Sequence, residues 1–313
     1  MRELLRRPAW LFSTLVLGIG WASVASAIFI RDDSAVAAYD ALATQNQFQA
    51  AGYLGHPGAP QSFCSGVLIA ADKFLTAAHC LANPDGTFTE IANNLTVGFD
   101  LNFPAGGLPA NNVSAFFVNP AYSGEGGARQ YDVAVVELSE AIVGVTPASI
   151  WLANPVGLLG TMIGYGDQAN GFGNPLIGAN DRLGAQNIID ISAPTIRTDF
   201  DKPDGTTSSF GATLPVYLEG TTAGGDSGGP LFASRLGQEL LVGDVSGGFN
   251  PFNPDAPSQY GDVSIWAPLR DPVNVGFLES LNQPIRFVPD PPTFALLGIG
   301  LAGLGFNRRR RAR

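Results

Sequence analysis

The chain has 313 residues, with 39 Gly and 23 Pro, 45% hydrophobic and 14% charged residues, and a net charge of −10. That length allows about two domains, and the glycine and proline content stays below that of low-complexity sequence. A chain this acidic is a poor partner for nucleic acid or an anionic membrane surface, which both need clustered lysine and arginine.

The first 27 residues carry Arg2, Arg6 and Arg7, an apolar run from Trp10 to about Trp21, and Ala25-Ser26-Ala27. A basic start, a short apolar centre and a small-residue box form the pattern of a secretory signal peptide, cut here after Ala27. Export would carry both cysteines, Cys64 and Cys80, into oxidising surroundings, where a disulfide between them is expected. Closing that loop contributes about 3 kcal/mol in the chain-entropy picture. Free thiols or half a metal site do not suit an exported chain with one nearby histidine.

After Ile28, the alanine-rich stretch from Ser34 to Thr44 predicts a short helix. Phe48 to Leu54 and Gly66 to Ala70 read as strands on either side of a turn that holds His56, a solvated loop residue on this reading. Leu95 to Phe99, Phe116 to Val118, Tyr131 to Leu138 and Leu240 to Ser246 add further short strands between Gly/Pro/Asn turns. Many short strands and no sustained helical period before the C-terminus predict an all-β protein. Asp132 heads the most apolar of these strands, where a carboxylate is costly to bury unless it accepts hydrogen bonds. Patterning fades from Ser139 to Ile150, which marks a crossing between two halves. The Gly/Asn-rich run from Asp167 to Asp181 reads as an exposed loop. Asp199 to Gly205 has the acidic spacing of a calcium loop without its late glutamate, so a polar surface turn is expected. Asp271-Pro272 supplies an N-cap and a first-turn proline for a helix ending near Leu281.

The most distinctive stretch is Gly224-Gly225-Asp226-Ser227-Gly228-Gly229-Pro230, in which glycines surround one hydroxyl. Ser227 is the candidate nucleophile, and flanking glycines let the amides of Gly225 and Ser227 converge on one oxygen. Taken alone, the run is also a good tight turn. Thr76-Ala77-Ala78-His79-Cys80, with Cys64 fifteen residues before the histidine, resembles the histidine segment of trypsin/chymotrypsin-like serine proteases. Asp132-Val133-Ala134-Val135, Met162 to Gly166 and the Ser227 run resemble other segments of that family. The order His79, Asp132, Ser227 is the family's own. The resemblance covers about Phe48 to Leu281.

It implies two six-stranded antiparallel β-barrels with a C-terminal helix, the first spanning residues 28–145 and the second 146–287. It implies peptide-bond hydrolysis through an acyl-enzyme, with Ser227 attacking, His79 moving the proton, Asp132 orienting the imidazole and the amides of Gly225 and Ser227 receiving the oxyanion. Substrate is expected against Thr221, Thr222, Ser246, Gly247 and Gly248, with Gly247 where the family usually has an aromatic wall. Thr221, six residues before the serine, is acidic in relatives that cut after lysine or arginine, so a small or apolar preference is expected instead. An N-terminal amine pairs with the aspartate before the nucleophile in this family; here signal cleavage would set Ile28 against Asp226. No cofactor and no metal are implied, and a monomer is expected. A catalytically silent, peptide- or polymer-binding relative of the cell surface is the alternative, against which stand His79, Asp132 and Ser227 all being present. A Gly-Asp-Ser esterase would place its serine early in an α/β domain.

Residues 288–313 hold Val288-Pro289-Asp290-Pro291, an apolar segment from Phe294 to Phe306, and Arg308 to Arg311 with Arg313. Thirteen residues are short of the ~20 that span a bilayer, although such arginines hold an end on the cytoplasmic side. The arrangement resembles the PEP-CTERM sorting tail of exopolysaccharide-associated proteins of Gram-negative bacteria, with Asp290 in place of the usual glutamate. The resemblance implies a transient membrane contact and a C-terminal sorting enzyme as partner, besides signal peptidase; a permanent tail anchor is the other reading. Without both ends the chain keeps nine basic and 25 acidic residues, a net charge of −16.

Overall fold

The computed structural model describes residues 28–289, apart from 84, 86, 90–93, 125–128, 212–214 and 256. The expected signal peptide and all of the expected sorting tail beyond Pro289 lie outside the described residues. The described chain begins with strand β1 (Phe29–Ile30) and helix α1 (Val36–Ala43), the latter inside the alanine-rich stretch.

Six strands then build the first sheet: β2 (Ala51–Gly55), β3 (Cys64–Ala70), β4 (Lys73–Thr76), β5 (Thr96–Gly98), β6 (Val113–Val118) and β7 (Ala134–Leu138). Their order is β5-β2-β3-β4-β7-β6, every pairing antiparallel. The two edge strands are tied by Asn112, whose side chain accepts from the Val97 N–H and donates to the Val97 carbonyl, both at 2.8 Å. Such links curl the sheet and cover its open edges. Val67, Leu68, Phe74, Leu75, Val133 and Val135 fill the interior.

The second half contains β8 (Ile150–Trp151), β9 (Leu159–Gly164), β10 (Ala169–Asn170), β11 (Leu183–Ile188), β12 (Ile196–Asp199), β13 (Gly220–Thr221), β14 (Pro230–Arg235), β15 (Gln238–Phe249) and β16 (Val263–Pro268). Its six main strands run β11-β9-β14-β15-β16-β12. The Asp190 N–H to Arg197 carbonyl bond, 3.0 Å, and the Arg197 N–H to Ile191 carbonyl bond, 2.9 Å, join the outer two. Met162, Leu231, Val242 and Trp266 form its core. Helix α2 (Pro272–Ser280) follows, capped by the Asp271 carboxylate on the Val273 N–H at 2.9 Å, and β17 (Phe287–Val288) closes against β8. The fold is therefore two curled six-stranded antiparallel barrels with a C-terminal helix, the chymotrypsin-like architecture the sequence implied.

Several local expectations change. Phe48 ends a 3-10 turn (Asn46–Phe48), so the strand starts at Ala51. Asp132 stands two residues before β7, after the 3-10 turn Arg129–Tyr131, which leaves its side chain free of strand alternation. The run expected as an exposed loop contains β10, because Ala169 and Asn170 pair in parallel with Phe29 and Ile30. Val288, the first residue of the expected tail, lies in β17.

The expected surface turn at Asp199 is also largely inside: Asp199, Phe200 and Asp201 are buried. Burial and the neighbouring Asp199 raise Asp190 and Asp201 to about 7 each, and burial raises Glu219 to about 8. Glu219 accepts from the N–H groups of Asp201 and Val216, at 2.6 Å each, which holds the loop. These acids keep protons in the folded chain at pH values where the unfolded chain has lost them. Their stabilising contribution is full at acid pH and is lost as pH rises through about 7 to 8. Tm is expected to fall between pH 5 and pH 8.5, with a shallower slope for Asp201→Asn; a Tm that climbs over that range would contradict the assignment.

Candidate active site

The two barrels meet where the turn before β14 docks against β3 and β4. The Ser65 N–H donates to the Ser227 carbonyl at 2.8 Å, and the Ser65 hydroxyl to the Gly225 carbonyl at 3.1 Å. Gly228 has φ +79, and a Cβ there would lie 2.2 Å from Thr76 Oγ1 and 2.5 Å from the Ala77 N. Only glycine lets the two backbones come so close.

This docking places Ser227 Oγ 2.7 Å from His79 Nε2. His79 Nδ1 lies 2.7 Å from Asp132 Oδ2, and the His79 N–H donates to Asp132 Oδ1 at 2.9 Å. A fourth group joins them, the Ser246 hydroxyl, which donates to Asp132 Oδ2 at 2.6 Å. Three donors thus surround a carboxylate that is 1% exposed, which is how a buried charge is retained. Helix α2 contributes from behind: Asn274 Nδ2 donates to the Gln130 carbonyl, 2.7 Å, two residues before Asp132. The Cys64–Cys80 disulfide anchors the segment beside His79.

Gly225 has φ +90, a backbone setting that favours glycine. Among the described residues no hydrogen bond engages the N–H of Gly225 or of Ser227, so both are open to an incoming oxygen. Asp226 points the other way and is buried. It accepts from the N–H groups of Gly166 at 2.9 Å, Ala223 at 2.8 Å and Ile28 at 3.2 Å. Burial pushes its carboxyl to about 7 in spite of these three bonds. The expected neighbourhood of Ile28 and Asp226 is therefore present in the geometry.

A cavity of about 390 Å³ opens beside Ser227. Of the five residues expected against substrate, Thr222, Gly247 and Gly248 border it, whereas Thr221 and Ser246 lie behind it. The Thr221 hydroxyl is engaged with Ser264 Oγ at 2.7 Å and donates to Asp262 Oδ2 at 3.1 Å. Arg129 fills the space where a side chain at Gly247 would stand, its Nη1 donating to the Ser246 carbonyl at 2.9 Å. Neither Asp262 nor Arg129 was singled out from the sequence. Each lies outside the family-like strings, and the only signal for Asp262 was an acid at the head of an apolar strand. His56 is half-buried, its Nδ1 3.1 Å from the Asn94 carbonyl and its ring 5.1 Å from that of Phe63, and it does not border this cavity.

Two facing barrels with a serine, histidine and aspartate in line across their seam define a class of serine hydrolases. The sequence profile of the Trypsin family matches residues 36–269, and the chain belongs to that family of serine endopeptidases. It is 29% identical over 209 residues to Hypodermin-A of Hypoderma lineatum, covering 64% of this chain and 74% of the relative. It is 27% identical over 229 residues to Trypsin of Saccharopolyspora erythraea, covering 69% and 89%. Among solved structures it is similar to a Glu endopeptidase in complex with MPD, at 18% identity and a TM-score of 0.49, covering 76% of this chain and 94% of that one.

Gly228→Ala is expected to separate the barrels at this seam. The measurement is stability, with a loss of more than ~2 kcal/mol from the forced backbone shift and positive φ; wild-type stability and activity in that variant would contradict the close approach.

Proposed function

We propose that this is an exported endopeptidase in which Ser227, His79 and Asp132 act as one catalytic unit. The observation that carries the reading is His79, whose two ring nitrogens lie 2.7 Å from Asp132 Oδ2 and 2.7 Å from Ser227 Oγ. On this reading Ser227 Oγ attacks the peptide carbonyl while His79 Nε2 takes its proton. His79 then returns the proton to the leaving amine, and water repeats the sequence on the acyl-enzyme. Asp132 keeps the Nδ1–H tautomer and stabilises the imidazolium, with Ser246 holding the carboxylate in turn. The free amides of Gly225 and Ser227 receive the oxyanion, each donor being worth ~10²–10³ in rate.

The domain reading is a first barrel over 28–145, a second over 146–287 and processed ends. Removal of residues 1–27 by signal peptidase would turn the Ile28 amide, 3.2 Å from Asp226 Oδ2, into an ammonium. An ion pair there offsets the burial of Asp226. Ile28 has φ +63, an outlier for a β-branched residue that depends on the bond to residue 27, and cleavage removes that constraint. The disulfide fits an exported protein, and the tail is read as a sorting signal that touches the membrane transiently before removal by a sorting enzyme. Polypeptide is the substrate, and neither nucleic acid nor a cofactor has a role in this mechanism.

Ser227→Ala is expected to lower turnover of a good peptide substrate by about 10⁶, since a triad fails as a unit. Wild-type turnover in that variant contradicts the mechanism. N-terminal sequencing of active protein is expected to read Ile28-Phe29-Ile30; a start well beyond Ile28 contradicts the activation route.

A further inference from the structure

Strand β15 runs past the nucleophile with one edge open. Up to Asp244 it pairs with β14 on one side and β16 on the other, and Val245 still bonds the Gly228 and Gly229 backbone. Beyond Val245 only β16 continues, matching Gly247, Gly248 and Phe249 to Ile265, Ser264 and Val263. An unpaired edge invites an extended chain to add as a strand. Gly247 and Gly248 also border the cavity that holds Ser227, so a peptide placed for attack lies along this edge. Arg129 already covers it. Its Nη1 donates to the Ser246 carbonyl at 2.9 Å and fills the space where a Gly247 Cβ would lie. Among the described residues that is the one hydrogen bond of its side chain, and no carboxylate pairs with it. Asp132, three residues on, is occupied by His79 and Ser246. A guanidinium has five N–H donors, so most of this one is left for an acceptor from outside.

We propose that Arg129 is a specificity-determining gate on this edge, closed by its bond to the Ser246 carbonyl and opened by an acidic side chain on the substrate residue just before the cleaved one. The inference rests on the peptidase reading above and adds a selected position to it. With the cleaved residue's side chain in the cavity, strand alternation turns the side chain before it to the opposite face. Arg129 comes from the first-barrel turn that leads to Asp132 and does not border the cavity, so it stands on that face.

The chemistry selects the acid. A strand added to this edge takes the Ser246 carbonyl as an acceptor, so the guanidinium must give it up first. A carboxylate matches the planar fork with two parallel bonds. Aspartate or glutamate therefore draws Arg129 off the carbonyl and holds it while the backbone docks. Alanine leaves the displaced guanidinium to water alone, and lysine or arginine sets like charges together. In a chain whose acids outnumber its bases, an arginine without an acid partner beside the nucleophile is a local exception, and this use accounts for it.

The test uses the exported, processed protein and peptides of one sequence, varied to glutamate, aspartate, alanine or lysine at the residue before the cleaved one. Glutamate and aspartate are expected to exceed alanine in kcat/KM by ~10-fold or more, the scale of a charge-assisted hydrogen bond. The gain is expected mainly in KM and to weaken with added salt. Arg129→Met keeps the stem and removes the donors, and is expected to abolish the glutamate-to-alanine ratio, in which losses of folded protein cancel. Arg129→Glu is expected to turn the preference toward lysine, which loss of a structural contact alone would not do. Binding is read apart from catalysis by fluorescence anisotropy of the labelled peptides on Ser227→Ala, with the same order of affinities expected. Wild-type indifference at that position, or an unchanged ratio in Arg129→Met, overturns the gate and leaves the peptidase reading standing. Arg129-dependent binding of the glutamate peptide, with a wild-type protein that cleaves no peptide, upholds the gate and overturns the peptidase reading. Equal affinity of Ser227→Ala for the glutamate and alanine peptides overturns the gate.

Discussion

Everything in the site depends on one backbone contact across the two barrels, the bond from the Ser65 N–H to the Ser227 carbonyl at 2.8 Å. It fixes the depth at which the glycine-rich turn enters the seam. Gly228 permits that depth, since a Cβ would meet Thr76 and Ala77. The same insertion brings Ser227 Oγ within 2.7 Å of His79 Nε2. Neither barrel holds the arrangement alone, because His79 and Asp132 come from the first and Ser227 and Ser246 from the second.

Two buried aspartates on either side of that contact show how charge is managed. Asp132 is surrounded by the His79 amide, the His79 ring and the Ser246 hydroxyl. Asp226 receives three backbone amides, and burial still raises its carboxyl to about 7. The burial of this second group is thus only partly offset by the three amides, one of which is the Ile28 N–H at 3.2 Å.

The histidine and serine strings were legible because each packs its chemistry into five to seven consecutive residues whose backbone shape is local. Asp132 was legible as an acid next to an apolar strand. Its 3-10 approach was not, since that turn is set by the docking of Asn274 on Gln130. Many short strands pointed to an all-β protein, and its division into two barrels came from the resemblance to the protease family. What escaped the sequence was long-range: β10 exists because Phe29 and Ile30 pair with it, and the buried Asp199 and Asp201 are engaged by Ser209 and Glu219, 10 and 18 residues further on.

The central claim is that Ser227 is an activated nucleophile, and a fluorophosphonate tests it most directly, since only an activated serine reacts. The account predicts one phosphonyl group per chain on Ser227, located by mass spectrometry, and none in His79→Ala. Folded wild-type protein that remains unlabelled, or that is labelled equally in His79→Ala, would contradict it.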